Sequence, residues 1–323
     1  MKKTTNKMLI LFLIFGILLS LFRIDYRFKT TVECCSDDYD YFIHASTIAF
    51  DFDLDYTNQN PRLFSYQKNG KNTPIGFIGS GIFAAPFLFL GEKISSLTNE
   101  DTSSEVFNYL LLMYSVSPIF YLFLSYLLLF KTISLFKLKV SKYILLLYLS
   151  SSGITYFAFE RFSMTHAYEV FSISLIIYLS TKYYVSESKN LILSLAIPFS
   201  FLFSFLTRMS NYYIFLIPLI IRKLLINKKL SINRKMLFDK EIVFSALFSF
   251  MSFYLISNIL YGELVFNPQK VYGTNINFSN YISSYQNYFE MFFSLVKTFL
   301  IVIFSFEFGL FWVCPILFGA LIC

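Results

Sequence analysis
The sequence predicts an all-α fold: a polytopic membrane helical bundle of about eight spans, with a long acidic first outer loop that carries interfacial helices. Three observations predict it. Of 323 residues 56% are hydrophobic and only 15% charged, with 42 Phe and 24 Tyr, a balance foreign to water-soluble domains. Apolar runs of roughly 16 to 26 residues recur along the chain, and about 20 helical residues cross the ~30 Å hydrocarbon layer with every backbone group satisfied internally. Lys and Arg gather in short loops between those runs while the acids gather elsewhere, which is how charge orients a chain in a bilayer. The formal charge of +7 is therefore a topological signal, and no nucleic-acid partner is expected.

The first run, 8–22, is preceded by Lys2, Lys3 and Lys7 and followed at once by Arg23, Asp25 and Arg27, with no small-x-small cleavage site. It reads as an uncleaved signal anchor with a cytoplasmic N-terminus, so residues 23–104 form an outer loop. The first part of that loop carries Asp25, Glu33, Asp37, Asp38, Asp40, Asp51, Asp53 and Asp55, a density no other loop approaches. Alternation at 51, 53 and 55 predicts extended backbone, and Asn58, Asn60, Pro61, Asn69 and Gly70 mark turns. The stretch TPIGFIGSGIFAAPFLFLG, 73–91, is apolar but rich in small residues. As a full span it would send Lys131, Lys137, Lys139 and Lys142 to the outer side; as an interfacial helix over 76–91 it keeps them inside, and it is assigned so.

The rest of the bundle, 105–323, then alternates. Residues 105–130 run inward, 143–158 outward, 167–184 inward and 191–206 outward; a short hairpin at 207–211 returns through 212–221, and 241–261 lead out again. Lys182, Lys189 and the basic loop from Arg222 to Lys240 face the cytoplasm on this topology. A second outer loop, 262–290, precedes the apolar runs 291–304 and 309–323, the last of which reaches Cys323; a shortened chain or a further C-terminal portion is expected from that. The whole chain, 1–323, is a single transmembrane domain. Cys34, Cys35, Cys314 and Cys323 have no zinc spacing.

Chemistry concentrates in SDDYDYFIHASTIA, 36–49. A helical period places Asp37, Asp40, Tyr41 and His44 on one face, beside the membrane, where they can serve a general base, a metal ion or water. Asp40, Asp51 and Asp53 are candidates for a divalent cation, Mg²⁺ or Mn²⁺, although carboxylates on a wet loop also serve as plain polar surface. Arg161 and His166 stand at an outer turn beside Glu160 and Glu169, consistent with lipid-phosphate binding and equally with a local ion pair that stabilises the turn. Arg208, in TRMSN, has no acid next to it in sequence and is the stronger phosphate candidate; an interfacial anchor is the alternative.

These residues resemble a known family. DDYDY followed by His44 and Ala45 is similar to the first outer loop of the GT-C superfamily of membrane glycosyltransferases, in its protein O-mannosyltransferase and aminoarabinose-transferase branch, where D-E-x-x-Y follows the first span. Asp37 falls on the first acid, Asp38 on the second with Asp for Glu, and Tyr41 on the aromatic. TPIGFIGSGIFAAPFLFLG resembles the family's KPPL-type segment, but Asn72-Thr73 replaces Lys-Pro and Lys71 sits one place early. FERFSMTHAYEVF, RMSNYY, YGELVFNPQ and FEFGLFWVCP also look like segments of bacterial members. The resemblance implies transfer of a sugar from a polyprenyl-phosphate donor at the outer face of a bacterial-type inner membrane, with membrane lipids as surroundings. It implies Asp37 and Asp38 as catalytic residues, Asp37 being the base, and Tyr41, His44, Lys71, Arg161, His166 and Arg208 as substrate-binding residues. A polyprenyl phosphate already leaves well, so one base suffices where a glycosidase needs two opposed carboxylates. Two other classes fit the hydrophobicity: a transporter or flippase of lipid-linked sugars, which would put ionisable groups at span centres, and a non-catalytic assembly protein.

Overall fold
A computed structural model of the chain describes residues 36–57, 65–68, 71–98, 109–141, 152–159, 161–186, 191–209, 211–227, 240–265 and 288–304, with scattered positions in 7–18 and 143–150. The basic loop beyond Asn227, the second outer loop beyond Val265 and the 309–323 run lie outside them. Within the described residues the protein is mostly helical, with one hairpin and short turns and loops between the helices. Helix α1 (Ser36–Ser46) runs into a π-helical turn (Thr47–Asp51) that ends at Phe52 with left-handed backbone, φ 58°. Asp51 thus closes a helical turn, and the extended alternation expected over 51–55 does not form.

Strands β1 (Ser65–Lys68) and β2 (Lys71–Pro74) pair antiparallel with Lys68 opposite Lys71; Asn69 and Gly70, expected as a turn, lie outside the described residues. Asn-Gly suits two-residue hairpins because both residues tolerate positive φ. Helices α2 (Ile78–Thr98), α3 (Tyr109–Leu135), α4 (Ile154–Phe159), α5 (His166–Val185) and α6 (Leu191–Thr207) follow. The stretch expected to return as one run over 212–221 is instead a 3-10 segment (Asn211–Leu216) passing into α7 (Ile217–Asn227). Pro218 falls in the first turn of α7, where its missing N–H would have no intrahelical partner. Helices α8 (Lys240–Tyr261) and α9 (Tyr288–Phe304) complete the order.

Two of these helices, α3 and α8, are long and apolar enough to cross a membrane. They are used differently. Helix α3 is central, packed by α2, α4 and α5, whereas α8 lies at the periphery against α6. Helix α8 is patterned inside out for water: Ser245, Ser249 and Ser257 are buried, while Phe244, Leu247, Met251, Leu255 and Ile259 are exposed. Small polar residues toward neighbouring helices and bulky apolar ones outward is the arrangement a lipid solvent favours.

Hydrogen bonds fix the relative helix directions. Near the start of α3, Tyr114 bonds Ser163 at 2.8 Å and Ser117 bonds Tyr168 at 2.5 Å, while toward its other end Lys131 lies 5.8 Å from the Tyr178 ring that Lys182 approaches at 5.9 Å. Helices α3 and α5 therefore run parallel. Thr165 donates to the carbonyl of Thr207 at 3.0 Å, so the end of α6 meets the start of α5. Thr73 of β2 donates to the carbonyl of Leu260, which brings the end of α8 there as well. The starts of α3 and α5, the ends of α6 and α8, the hairpin and α1 thus share one end of the bundle.

Helix α2 lies along α1 and across that half of the bundle, with Phe83 against Tyr121, Tyr168, Phe171 and Phe203. Its approach depends on two glycines on opposite sides. A Cβ on Gly79 would stand 2.3 Å from the carbonyl carbon of Leu206 and the nitrogen of Thr207, and one on Gly81 would stand 2.6 Å from the His44 Cβ. The helix continues to Thr98, seven residues beyond the 76–91 expected for it.

Candidate functional site
An isolated helix as short as α1 is marginal, so tertiary contacts must hold it in place. It is held at both ends. In its first turn, Asp38 Oδ2 accepts a 2.7 Å charge-assisted bond from the Arg161 guanidinium, with the carboxylate side chain 5% exposed and the arginine 22%. Ser163 donates from Oγ to the Asp38 carbonyl at 2.5 Å. Because that spends the only proton of the Ser163 hydroxyl, the Tyr114 hydroxyl is the donor in its 2.8 Å bond to Ser163. Asp40 accepts from the backbone N–H of Ile75 at 3.1 Å.

At the other end, His44 is fully buried between Tyr56 and Gly76. Its Nε2 lies 2.6 Å from the Gly76 carbonyl and its Nδ1 2.7 Å from the Tyr56 hydroxyl. A carbonyl only accepts, so Nε2 carries the proton and Tyr56 donates to Nδ1. Burial lowers the His44 pKa from 6.5 to about 4, against the pull of the Gly76 carbonyl, and keeps the ring neutral. Burial likewise raises the Tyr56 pKa, so the phenol stays a donor. Tyr41 is buried beneath Gly76. The face that Asp40, Tyr41 and His44 share is therefore turned into the protein, and is not an open polar face. Asp37 belongs to α1, and its side chain lies outside the described residues.

A second polar group forms where α5 starts and α6 ends. Glu169, one turn into α5, lies 3.3 Å from Arg208 and 3.7 Å from His166 Nδ1. Sequence reasoning treats Glu169 only as a local neighbour of Arg161 and His166, and Arg208 as having no acid beside it. Folding makes Glu169 the shared partner of His166 and Arg208, and sends Arg161 to Asp38 instead. The Arg208 side chain is 48% exposed and can still turn toward a ligand. The His166 ring also lies 4.0 Å from that of Phe157, centroid to centroid, with the planes tilted by 45°. Arg161 and His166 belong to one connection, and the Thr165 bond to Thr207 ties that connection to Arg208. The acid helix, the segment that carries Arg161 and His166, and Arg208 thus lie at one end of the bundle.

Other candidates stand apart. Lys71 is exposed at the start of β2. Asp53 and Asp55 are exposed and serve their own turn, accepting from the backbone N–H groups of Asp55 and Thr57 at 3.0 Å each. The Thr57 N–H lowers the Asp55 pKa. Asp51 is exposed at the end of the π-helical turn, whereas Asp40 is buried on Ile75. Among the described residues no three His, Cys, Asp or Glu side chains gather where an ion could sit. Compared with protein-family models, characterised proteins and solved structures, the chain matches none.

Proposed function
We propose that this chain is an integral membrane glycosyltransferase that moves a sugar from a polyprenyl-phosphate donor to an acceptor hydroxyl. One juxtaposition carries the reading: the acid helix α1 lies at the same end of the bundle as Arg161 and the Glu169–Arg208 pair, all outside the middle of the long apolar helices. A transporter of the same lipid would need such groups at midspan. The bundle of about eight spans, the cytoplasmic N-terminus and the location of this end at the outer face of an inner membrane belong to the same proposal. The common direction of α3 and α5, with Lys131 and Lys182 together at the far end, supports them.

In the reaction proposed, the Asp37 carboxylate takes the proton of the acceptor hydroxyl as its oxygen bonds to the anomeric carbon. The bond from that carbon to the phosphate oxygen breaks, and its electron pair leaves on the polyprenyl phosphate. Arg208, which a bidentate phosphate can draw from Glu169, neutralises that charge. Transfer of labelled sugar from a polyprenyl-phosphate donor by purified protein tests the reading. Asp37→Asn is expected to lower turnover by ~10²-fold or more at equal folded amount, with Asp51→Asn far milder. Arg208→Ala is expected to weaken donor affinity, and Arg208→Lys to restore part of it. Near-normal turnover in Asp37→Asn removes the base, and absence of turnover in the native protein with any donor shifts the reading to transport or assembly.

A further inference from the structure
Arg161 bonds the acid helix directly, and its placement argues against the obvious use for it. Its guanidinium is joined to Asp38 at 2.7 Å, and two residues later Ser163 holds the backbone carbonyl of the same Asp38. Ser163 in turn accepts from Tyr114 on α3, which is itself fully buried. One connection therefore grips Asp38 by side chain and main chain together and refers it to the most central helix of the bundle. Both contacts act on the first turn of α1, the turn that contains Asp37. The contacts of His44 act on the last turn, and the Asp40 bond to Ile75 lies between the two.

We propose that Arg161 and Asp38 form a positioning pair that sets the register of α1 and so the place of Asp37, and that Arg161 does not serve as the donor-phosphate ligand. The catalytic half of this inference rests on the glycosyltransferase reading; the structural half does not. A guanidinium on a buried carboxylate compensates a charge that is costly to bury, so loss of one member takes that compensation from the other. Loss of both leaves a neutral pair of amides. The two single variants should therefore be as damaging as, or worse than, the double variant.

Amide hydrogen exchange across 36–46, with the purified full chain in detergent micelles, is the test that does not depend on activity. Arg161→Gln and Asp38→Asn are each expected to speed exchange in α1 at least tenfold, with exchange in α8 unchanged. Asp38→Asn/Arg161→Gln is expected to do no more than either alone, and serves if a single variant fails to fold. Arg161→Lys should recover part of the protection. Binding of polyprenyl phosphate itself is expected to stay within about twofold in Arg161→Gln, and sugar transfer to show a kcat loss of ten- to a hundredfold with little change in donor KM. Unchanged exchange in α1, or a large loss of polyprenyl phosphate affinity in Arg161→Gln, overturns the positioning role. If the native protein transfers no sugar, the glycosyltransferase reading falls, while exchange and polyprenyl phosphate binding still decide the role of the pair.

Discussion

At the scale of single residues, His44 carries the clearest pH signature. Its pKa is near 4 in the fold and near 6.5 in the unfolded chain. Between those values the unfolded state binds a proton that the folded state refuses, so stability is full above pH 6.5 and falls as the pH drops through the window, by roughly 3 kcal/mol in all. Thermal midpoints of purified protein at pH 7.5 and 5 measure this. His44→Gln is expected to start lower, having lost a buried hydrogen-bond pair, but to change little between the two pH values. An equal acid-induced drop in both proteins would trace the effect to other groups. The same residue illustrates what residue identity conveys. A lone histidine in an acidic stretch suggests ligand binding or a hydrogen bond, and only the packing of Gly76 and Tyr56, 32 and 12 positions away, selects the bond. Arg161 and Asp38 are separated by 123 positions, and no local pattern connects them.

At the scale of elements, α2 shows how small residues decide packing. Its apolar, glycine-rich sequence predicts a helix, and the helix forms; which neighbours the glycines admit follows from the fold. Gly79→Ala would normally favour a helix by about 1 kcal/mol, but here the new methyl meets backbone of α6 that cannot swing aside. Overpacking of this kind costs about 1–3 kcal/mol, so the clash prevails and the thermal midpoint should fall. Gly153→Ala, whose Cβ would meet nothing within 4 Å, should leave it unchanged. Equal midpoints for the two variants would mean that α2 and α6 are not in backbone contact. The hairpin makes the complementary point. Asn69-Gly70 announces its turn, yet the flanking SYQK and KNTP lack the alternation of a typical strand, and Thr73 on Leu260 is one of the contacts that hold it against α8.

At the scale of the whole molecule, the proposed orientation is open to direct measurement. In a chain freed of its native cysteines, Asp53→Cys is expected to react with an impermeant maleimide on intact cells, and Lys139→Cys only after the membrane is opened. The reverse labelling would invert the bundle and move the acid helix to the cytoplasm. The exposed stripe of Phe244, Leu247, Met251 and Leu255 on α8, and α9 with no buried residue, are surfaces that suit lipid far better than water.

Composition and apolar run length determined, without any fold, that the chain is helical, and they located α3, α5, α6, α8 and α9 to within a few residues at most of their described ends. They can do so because a long apolar helix satisfies its own backbone, so its existence is a local property. Placement of the short elements is different. Helix α1, the π-helical turn, the hairpin and α7 gain too little from their own hydrogen bonds to stand alone, and they take shape from what they pack against. The pairing of charges is likewise decided in three dimensions. Coulomb attraction and desolvation act through space, so the partners of Arg161 and Arg208 became readable only when the turns between helices had brought Asp38 and Glu169 to them.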